Sequence, residues 1–449
     1  MYQTPVGNCE HYNTIYRYCH AELALLFPSL YSRIANQLEL EAILDANATP
    51  TNHTSPESTG RIARTSAYYV AFVALGSVAA ALGPTLPGLA EHTQTHLSEI
   101  SLLFTANALG YLAGSFQGGR LYDRVPGHPV MATMLITVAA MLVLAPLISL
   151  FWILFGAFLI LGAAQGALDV GGNTLLVWVH RDKVGPFMNG LHFFFGLGAF
   201  LSPIVIAQAV LMSGDIIWAY WALALLTLPA FVWLLRLPSP SIQRSSQNGQ
   251  NRQVNNRLVA LLALFFFLHV GAEVSFGGWI FTYAVEKNLA NETAAAYLTS
   301  AFWGALTLGR LLAIPIAARF KPSTMLLTNL VGCVTSLGVI LLWSNSLGAI
   351  WLGAFGMGIS IASMFPTSIS LAERRMPITG QVTGWFLVGA SIGGMSLPWA
   401  IGQLFESSGP QAVMLFILAD IVLALVVFAL VKRWSEGRRS PKQAALLEP

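Results

Sequence analysis

Gln165, Asp169 and Asn173 stand four residues apart in the run Gln165-Gly-Ala-Leu-Asp169-Val-Gly-Gly-Asn173. On a helix that spacing sets all three on one face. Amide, carboxylate and amide together accept from and donate to several hydroxyl groups, which is the chemistry of holding a polyhydroxylated ligand. The two glycines after Asp169 also permit local unwinding. Glu273, in His269-Val-Gly-Ala-Glu273-Val-Ser-Phe-Gly-Gly-Trp279, lies deep in an apolar block. It is too far from either end to snorkel. A carboxylate there can exchange a proton or offer oxygen to Na⁺, so Glu273 and Asp169 are the ion-coupling candidates. Gly277-Gly278 nearby could open the backbone, and Arg310 or His269 could pair with Glu273. Arg310 cannot discharge, so it must pair or face a cavity. Asn189 and His192, three apart, can join the Asp169 stripe. Trp279 and Trp303 lie in mid-block, where their faces can stack on a sugar ring or simply pack. Neither a nucleotide-binding loop nor a metal cluster nor a catalytic triad is recognisable in the sequence. That argues against an ATP-driven pump or an enzyme, with no cofactor beyond H⁺ or Na⁺.

These residues need a scaffold, and the composition names its kind. Hydrophobic residues make up 55% of the chain and charged ones 10%, far less charge than a soluble protein carries. Twelve apolar blocks, each about long enough to cross a bilayer, account for this. They run Ala67–Leu89, Ile100–Gly119, Pro129–Leu147, Phe151–Leu168, Phe187–Met212 and Ile216–Leu235 in the first half. In the second half they run Leu258–Val285, Ala294–Ala317, Thr324–Trp343, Ala349–Ser370, Val382–Leu404 and Val413–Val431. The predicted class is an all-α integral membrane protein of twelve transmembrane helices. Three charges fall within these blocks or near their edges: Asp169, Glu273 and Arg310.

Loops on one side carry Arg120, Arg124, Arg181, Lys183, Arg236, Arg257, Arg319, Lys321, Arg374 and Arg375. Arg61, Arg64, Lys432 and Arg433 flank the blocks on the same side, and the other loops hold almost only Lys287. The positive-inside rule makes the basic side cytoplasmic, so both termini are expected in the cytoplasm, with the protein in the cell membrane. The net charge of +3 is then an orientation signal and needs no nucleic acid. Residues 1–66 read as a disordered polar tail, 236–257 as a flexible cytoplasmic linker and 432–449 as a second tail. Cys9 and Cys19 fall in the first tail, where a reducing compartment disfavours a disulfide. Cys333 is expected to pack within a span.

Gly76 and Gly271 are 195 residues apart, as are Arg124 and Arg319, Gly185 and Gly380, Gly198 and Gly393, and Pro203 and Pro398. Five landmarks at one offset make the chain a tandem of two six-helix bundles, 67–235 and 258–431. The chain thereby resembles the major facilitator superfamily, in which the substrate sits near the midplane between two rocking bundles. The loop Gly118-Gly-Arg-Leu-Tyr-Asp-Arg-Val-Pro-Gly127 is similar to that superfamily's signature between its second and third helices. Its Asp123 is suited to cap a helix of the other bundle when the cytoplasmic side is closed. Asp123, Arg124 and Arg310 are the gating candidates.

Within the superfamily, the chain resembles the branch of fucose:proton symporter-like and vertebrate sodium-dependent glucose transporter-like proteins. The resembling segments are Gly166-Ala-Leu-Asp169-Val-Gly-Gly-Asn173 with Met188-Asn-Gly-Leu-His192, Val270-Gly-Ala-Glu273-Val-Ser275, Gly309-Arg310, Phe365-Pro366-Thr367 and Ser391-Ile-Gly-Gly394. The resemblance implies secondary active uptake of a hexose such as glucose or fucose, as an H⁺ or Na⁺ symporter. It implies sugar recognition or coupling at Asp169 and Asn173, and matches Asn189, His192 and Phe365 to positions of the branch's pattern. The fucose symporter's protonatable first-span Asp has no counterpart around Ala79–Pro84. Three outcomes stay open: Glu273 carries the coupling, the ion is Na⁺, or transport is uncoupled. Carriage of another small polar solute and a non-transporting membrane sensor are the rival readings. The partners expected are the small-molecule substrate and the lipid bilayer, with the protein acting as a monomer.

Overall fold

The computed structural model describes residues 56–181, 184–240, 256–317, 319–376 and 380–436. The readings made for Cys9, Cys19, Lys183, most of the two tails and the middle of the linker lie outside the described residues. Among those described, every regular element is helical. The first span is made of α1 (Pro56–Ala79) and α2 (Leu82–Thr93), the second of α3 (Leu97–Ile100) and α4 (Leu102–Tyr122). Spans three to six are α5 (Gly127–Leu144), α6 (Phe151–His180), α7 (Val184–Ser213) and α8 (Ile216–Arg236). Spans seven to nine are α9 (Asn256–Glu286), α10 (Glu292–Ala317) and α11 (Pro322–Leu342). The tenth combines α12 (Leu347–Ile361) and α13 (Met364–Glu373), followed by α14 (Gly380–Ser408) and α15 (Gln411–Glu436). Among the described residues, eleven spans are long and apolar enough to cross a membrane. The twelfth, α4, has the length, but Asn107, Ser115, Gln117 and its glycines make it less apolar.

Of the three spans built from two helices, the second breaks at Ser101, at the edge of its block, and the first and tenth break inside blocks read as continuous, where one physical cause covers both. These two breaks fall at Ala80–Ala81 and Ala362–Ser363. Each lies just before a proline, Pro84 and Pro366, which has no N–H to give the carbonyl four residues earlier. Where glycines suggested unwinding, the helices run on instead: α6 continues past Asp169 to His180, and α9 passes through Gly277-Gly278 to Glu286.

The glycines serve close approach. A Cβ on Gly110 or Gly114 would run into the carbonyl of Leu159 or Ala163, and one on Gly162 or Gly166 into that of Asn107 or Tyr111. Helices α4 and α6 therefore touch backbone to backbone, the way small residues let membrane helices pack. The internal repeat is built from the same contact. Gly76 meets Phe195 and Gly198 meets Val73, joining α1 to α7. In the second bundle Gly271 faces Gly393, and Gly393 meets Phe267, joining α9 to α14. These four glycines are the pairs 195 residues apart.

The bundles are joined in the half of the molecule away from the basic loops. Gln403 Nε2 donates to the Ser98 carbonyl (2.7 Å), and the Ser98 N–H donates to Glu406 Oε1 (3.0 Å). Thr105 Oγ1 donates to the Met395 carbonyl (3.2 Å). Gly83 of α2 backs directly onto the Gly278 backbone of α9.

Candidate functional site

Helix α6 presents Gln165 and Asp169 one turn apart, and α4 presents Asn107 and Tyr111 against them at the same spacing. Asn107 Nδ2 donates to Gln165 Oε1 (2.8 Å), and the Tyr111 hydroxyl donates to Asp169 Oδ2 (2.7 Å). Asn173 Nδ2 donates to Asp169 Oδ1 (3.1 Å) and to the Asp169 carbonyl (2.9 Å). Each carboxylate oxygen thus holds one donor. The glycine seam brings the two helices close enough for these bonds.

The stripe read from the sequence divides in two. Gln165 is only 2% exposed, and its side-chain oxygen is taken by Asn107. Buried and paired, it does not face a ligand in this conformation. Asp169 and Asn173 are half-buried, whereas Asn189 and His192 on α7 are exposed. Phe72 of α1 links the two helices. Its ring lies against Gly172 and meets the His192 ring edge-on, with centroids 6.2 Å apart.

On the other bundle, Arg310 Nη2 lies 3.6 Å from Glu273 Oε1. Glu273 is thus paired with Arg310. The alternative partner, His269, lies 2.9 Å through Nδ1 from the Phe265 carbonyl. Thr307 of α10 packs on Gly196 of α7, one turn from Arg310 on the one helix and from His192 on the other. Cys333 of α11 is a buried free thiol, packed within its span as expected. Trp303 is half-buried against Gly277. Phe365 is half-buried, packed on Phe266 at 5.0 Å and His269 at 6.2 Å.

Trp279 departs from expectation. It is fully buried, its Nε1 donates to the Pro398 carbonyl (3.0 Å), and its ring stacks on Phe405. No face is open to a ligand, so here it is part of the joined end. Asp123 and Arg124 are exposed at the turn after α4. Among the described residues the Asp123 side chain has neither a hydrogen bond nor an ion pair.

Three residues escaped the sequence reading. Asn107 and Tyr111 carry the i, i+4 signal that exposed their partners, but inside a glycine motif read only as packing. Asp420 of α15 is a fourth charge-bearing residue within the spans. It is 7% exposed, and its Oδ2 has no hydrogen-bond partner among the described residues.

Twelve spans in two bundles, joined at one end and lined by half-buried polar groups, define a polytopic membrane transporter. Residues 68–395 match the Major Facilitator Superfamily, and the chain belongs to it. It is 32% identical over 374 residues to the sodium-dependent glucose transporter 1A of Mus musculus, covering 75% of this chain and 88% of that protein. It is 31% identical over 424 residues to the sodium-dependent glucose transporter 1 of Homo sapiens, covering 84% and 82%. A mutant of the nucleoside transporter NupG shares the fold, with a TM-score of 0.70 at 14% identity, covering 83% of this chain and 99% of that one. This family and these relatives are transporters, not enzymes.

Proposed function

We propose that the protein takes up a hexose across the cell membrane by alternating access, with Na⁺ as the coupling ion. The observation that carries this reading is the Tyr111–Asp169–Asn173 group. It holds a half-buried carboxylate in one geometry, with lone pairs left over for sugar hydroxyls. Asn173, Asn189 and His192 extend that polar face, and Trp303 and Phe365 offer aromatic faces from the other bundle. Glu273 is the coupling carboxylate, with Asp169 the second candidate. The choice of Na⁺ over H⁺ is supported by the names of the relatives.

The basic loops support a cytoplasmic linker and cytoplasmic termini. The Ser98–Glu406 and Ser98–Gln403 bonds then close the outer side, with the unengaged Asp123 and Arg124 at the cytoplasmic gate. Residues 67–235 and 258–431 are the two rocking units. The test is counterflow in liposomes against a panel of hexoses, with Na⁺ and pH gradients imposed in turn. Hexose counterflow and Na⁺-driven accumulation are expected. Failure of every hexose would overturn the cargo, and accumulation driven by pH alone would overturn the ion.

A further inference from the structure

The pair of Arg310 and Glu273 stays open to the space between the bundles. Their nitrogen and oxygen are 3.6 Å apart, and the side chains remain 30% and 15% exposed. A guanidinium has several N–H donors in a planar fork, and a single carboxylate leaves part of that fork unused. The Arg310 helix packs on α7 of the facing bundle through Thr307 and Gly196, one turn from Arg310 and from the exposed His192. The first bundle carries the half-buried carboxylate of Asp169, held by Tyr111 and Asn173. Among the described residues, the site so built holds one cation, Arg310, and the carboxylates of Asp169 and Glu273, of which Glu273 stands directly on the cation.

We infer that Glu273 masks Arg310 and thereby makes the transporter select neutral sugars over anionic ones. This rests on the sugar reading of the site. A bare guanidinium is a bidentate receptor for carboxylate and phosphate. With Glu273 in place, an incoming sugar acid finds the fork occupied. It must also bring its own negative charge beside a second one where water screens poorly. A neutral hexose meets neither obstacle. The same geometry makes a mirror prediction. Without Arg310, Glu273 is left without its cation, and an ammonium-bearing sugar becomes the better ligand. Glu273 and Arg310 are in this sense specificity-determining residues that act as a pair.

The experiment is equilibrium exchange of labelled glucose by the reconstituted full chain. The competitors are unlabelled glucose, glucuronate and glucosamine at a pH where the amine is charged. In the wild type, glucuronate should compete far less well than glucose. In Glu273→Gln, glucuronate should gain roughly tenfold relative to glucose, and glucosamine should lose. In Arg310→Gln the two charged competitors should change places, so either variant suffices if the other fails to reach the membrane. Wild-type protein that takes glucuronate as well as glucose overturns the inference without any variant. So does either variant if it exchanges glucose with the wild-type charge preference. Absence of glucose exchange in the wild type overturns the sugar reading itself, an outcome distinct from exchange with the wrong charge preference.

Discussion

The Tyr111 hydroxyl donates to Asp169 Oδ2 over 2.7 Å, across a seam where α4 and α6 touch backbone to backbone. The bond fixes a carboxylate that a lone helix would leave free to rotate. Because Asn173 serves the other oxygen, the charged form is held on both sides before any ligand arrives. Binding then has less side-chain entropy to remove.

Loss of the Asp169 carboxylate should abolish sugar binding without loss of the protein. Asp169→Asn and Asn173→Ala are expected to insert and fold normally and to show no measurable sugar affinity. Tyr111→Phe should be milder. A hydrogen bond to a charged group contributes about 1.5–3 kcal/mol, so roughly a tenfold to hundredfold rise in the sugar dissociation constant is expected. Binding to purified protein is the measurement. Wild-type affinity in both Asp169→Asn and Asn173→Ala would remove these residues from the site.

The seam itself can be tested on one helix pair. A Cβ at Gly114 would strike the Ala163 backbone, while one at Gly156 on α6 meets nothing within 4 Å. Gly114→Val should therefore cost about 1–3 kcal/mol as overpacking and weaken sugar binding by parting Tyr111 from Asp169. Gly156→Ala should leave both unchanged. Thermal unfolding in detergent and sugar binding read the two effects. Equal stability of the variants would show that the seam tolerates separation.

The architecture was legible because its signals are periodic. Apolar block length gave the spans, and the 195-residue offset marked glycines that make the same contact in both bundles. A stripe such as Gln165, Asp169 and Asn173 reveals a face but not what lies against it. Gln165 was therefore read as a ligand contact although Asn107 occupies it. Mid-span position likewise cannot tell a ring facing a ligand from one facing a neighbour, which is why Trp279 was misplaced. Glycine permits both bending and close approach, and the unwinding expected after Asp169 was close approach. The real breaks fall four residues before Pro84 and Pro366, but proline alone would not have marked them, because Pro203, Pro229, Pro315 and Pro398 sit in helices that run on. Asp420 stands in the sequence as a lone carboxylate within the last apolar block.

Opposite ends of the molecule should respond oppositely to loss of a gate carboxylate. Glu406 accepts from the Ser98 N–H in this structure, whereas Asp123 has no partner among the described residues. Removing Glu406 deletes a contact of the outer-closed form, worth about 1 kcal/mol, or roughly a fivefold shift toward outer-open. Removing Asp123 should shift the balance the other way. Ser101→Cys, at a buried position beside Gly402, and Gly384→Cys, on the basic side, report the two openings to a thiol reagent. In a background without native thiols, Glu406→Ala should speed labelling at 101, and Asp123→Ala should speed it at 384. Unchanged rates for Asp123→Ala would make its loop a solvated turn rather than a gate.

The coupling role of Glu273 can be separated from a structural one. If it carries the coupling charge, Glu273→Gln imitates the neutralised form. Sugar exchange should survive, because exchange needs no net ion movement. Uphill accumulation should be lost, because the gradient no longer distinguishes the two facing states. A purely structural role predicts another pattern. Arg310 would lose its 3.6 Å partner and be stranded at a cost of about 3–5 kcal/mol, so folding and exchange would fail together. Its partial exposure moderates that cost, which favours survival of the variant. Equilibrium exchange and gradient-driven uptake must therefore be measured on the same preparation. Retained exchange with lost accumulation supports coupling, loss of both together supports structure, and full accumulation by Glu273→Gln removes the coupling role.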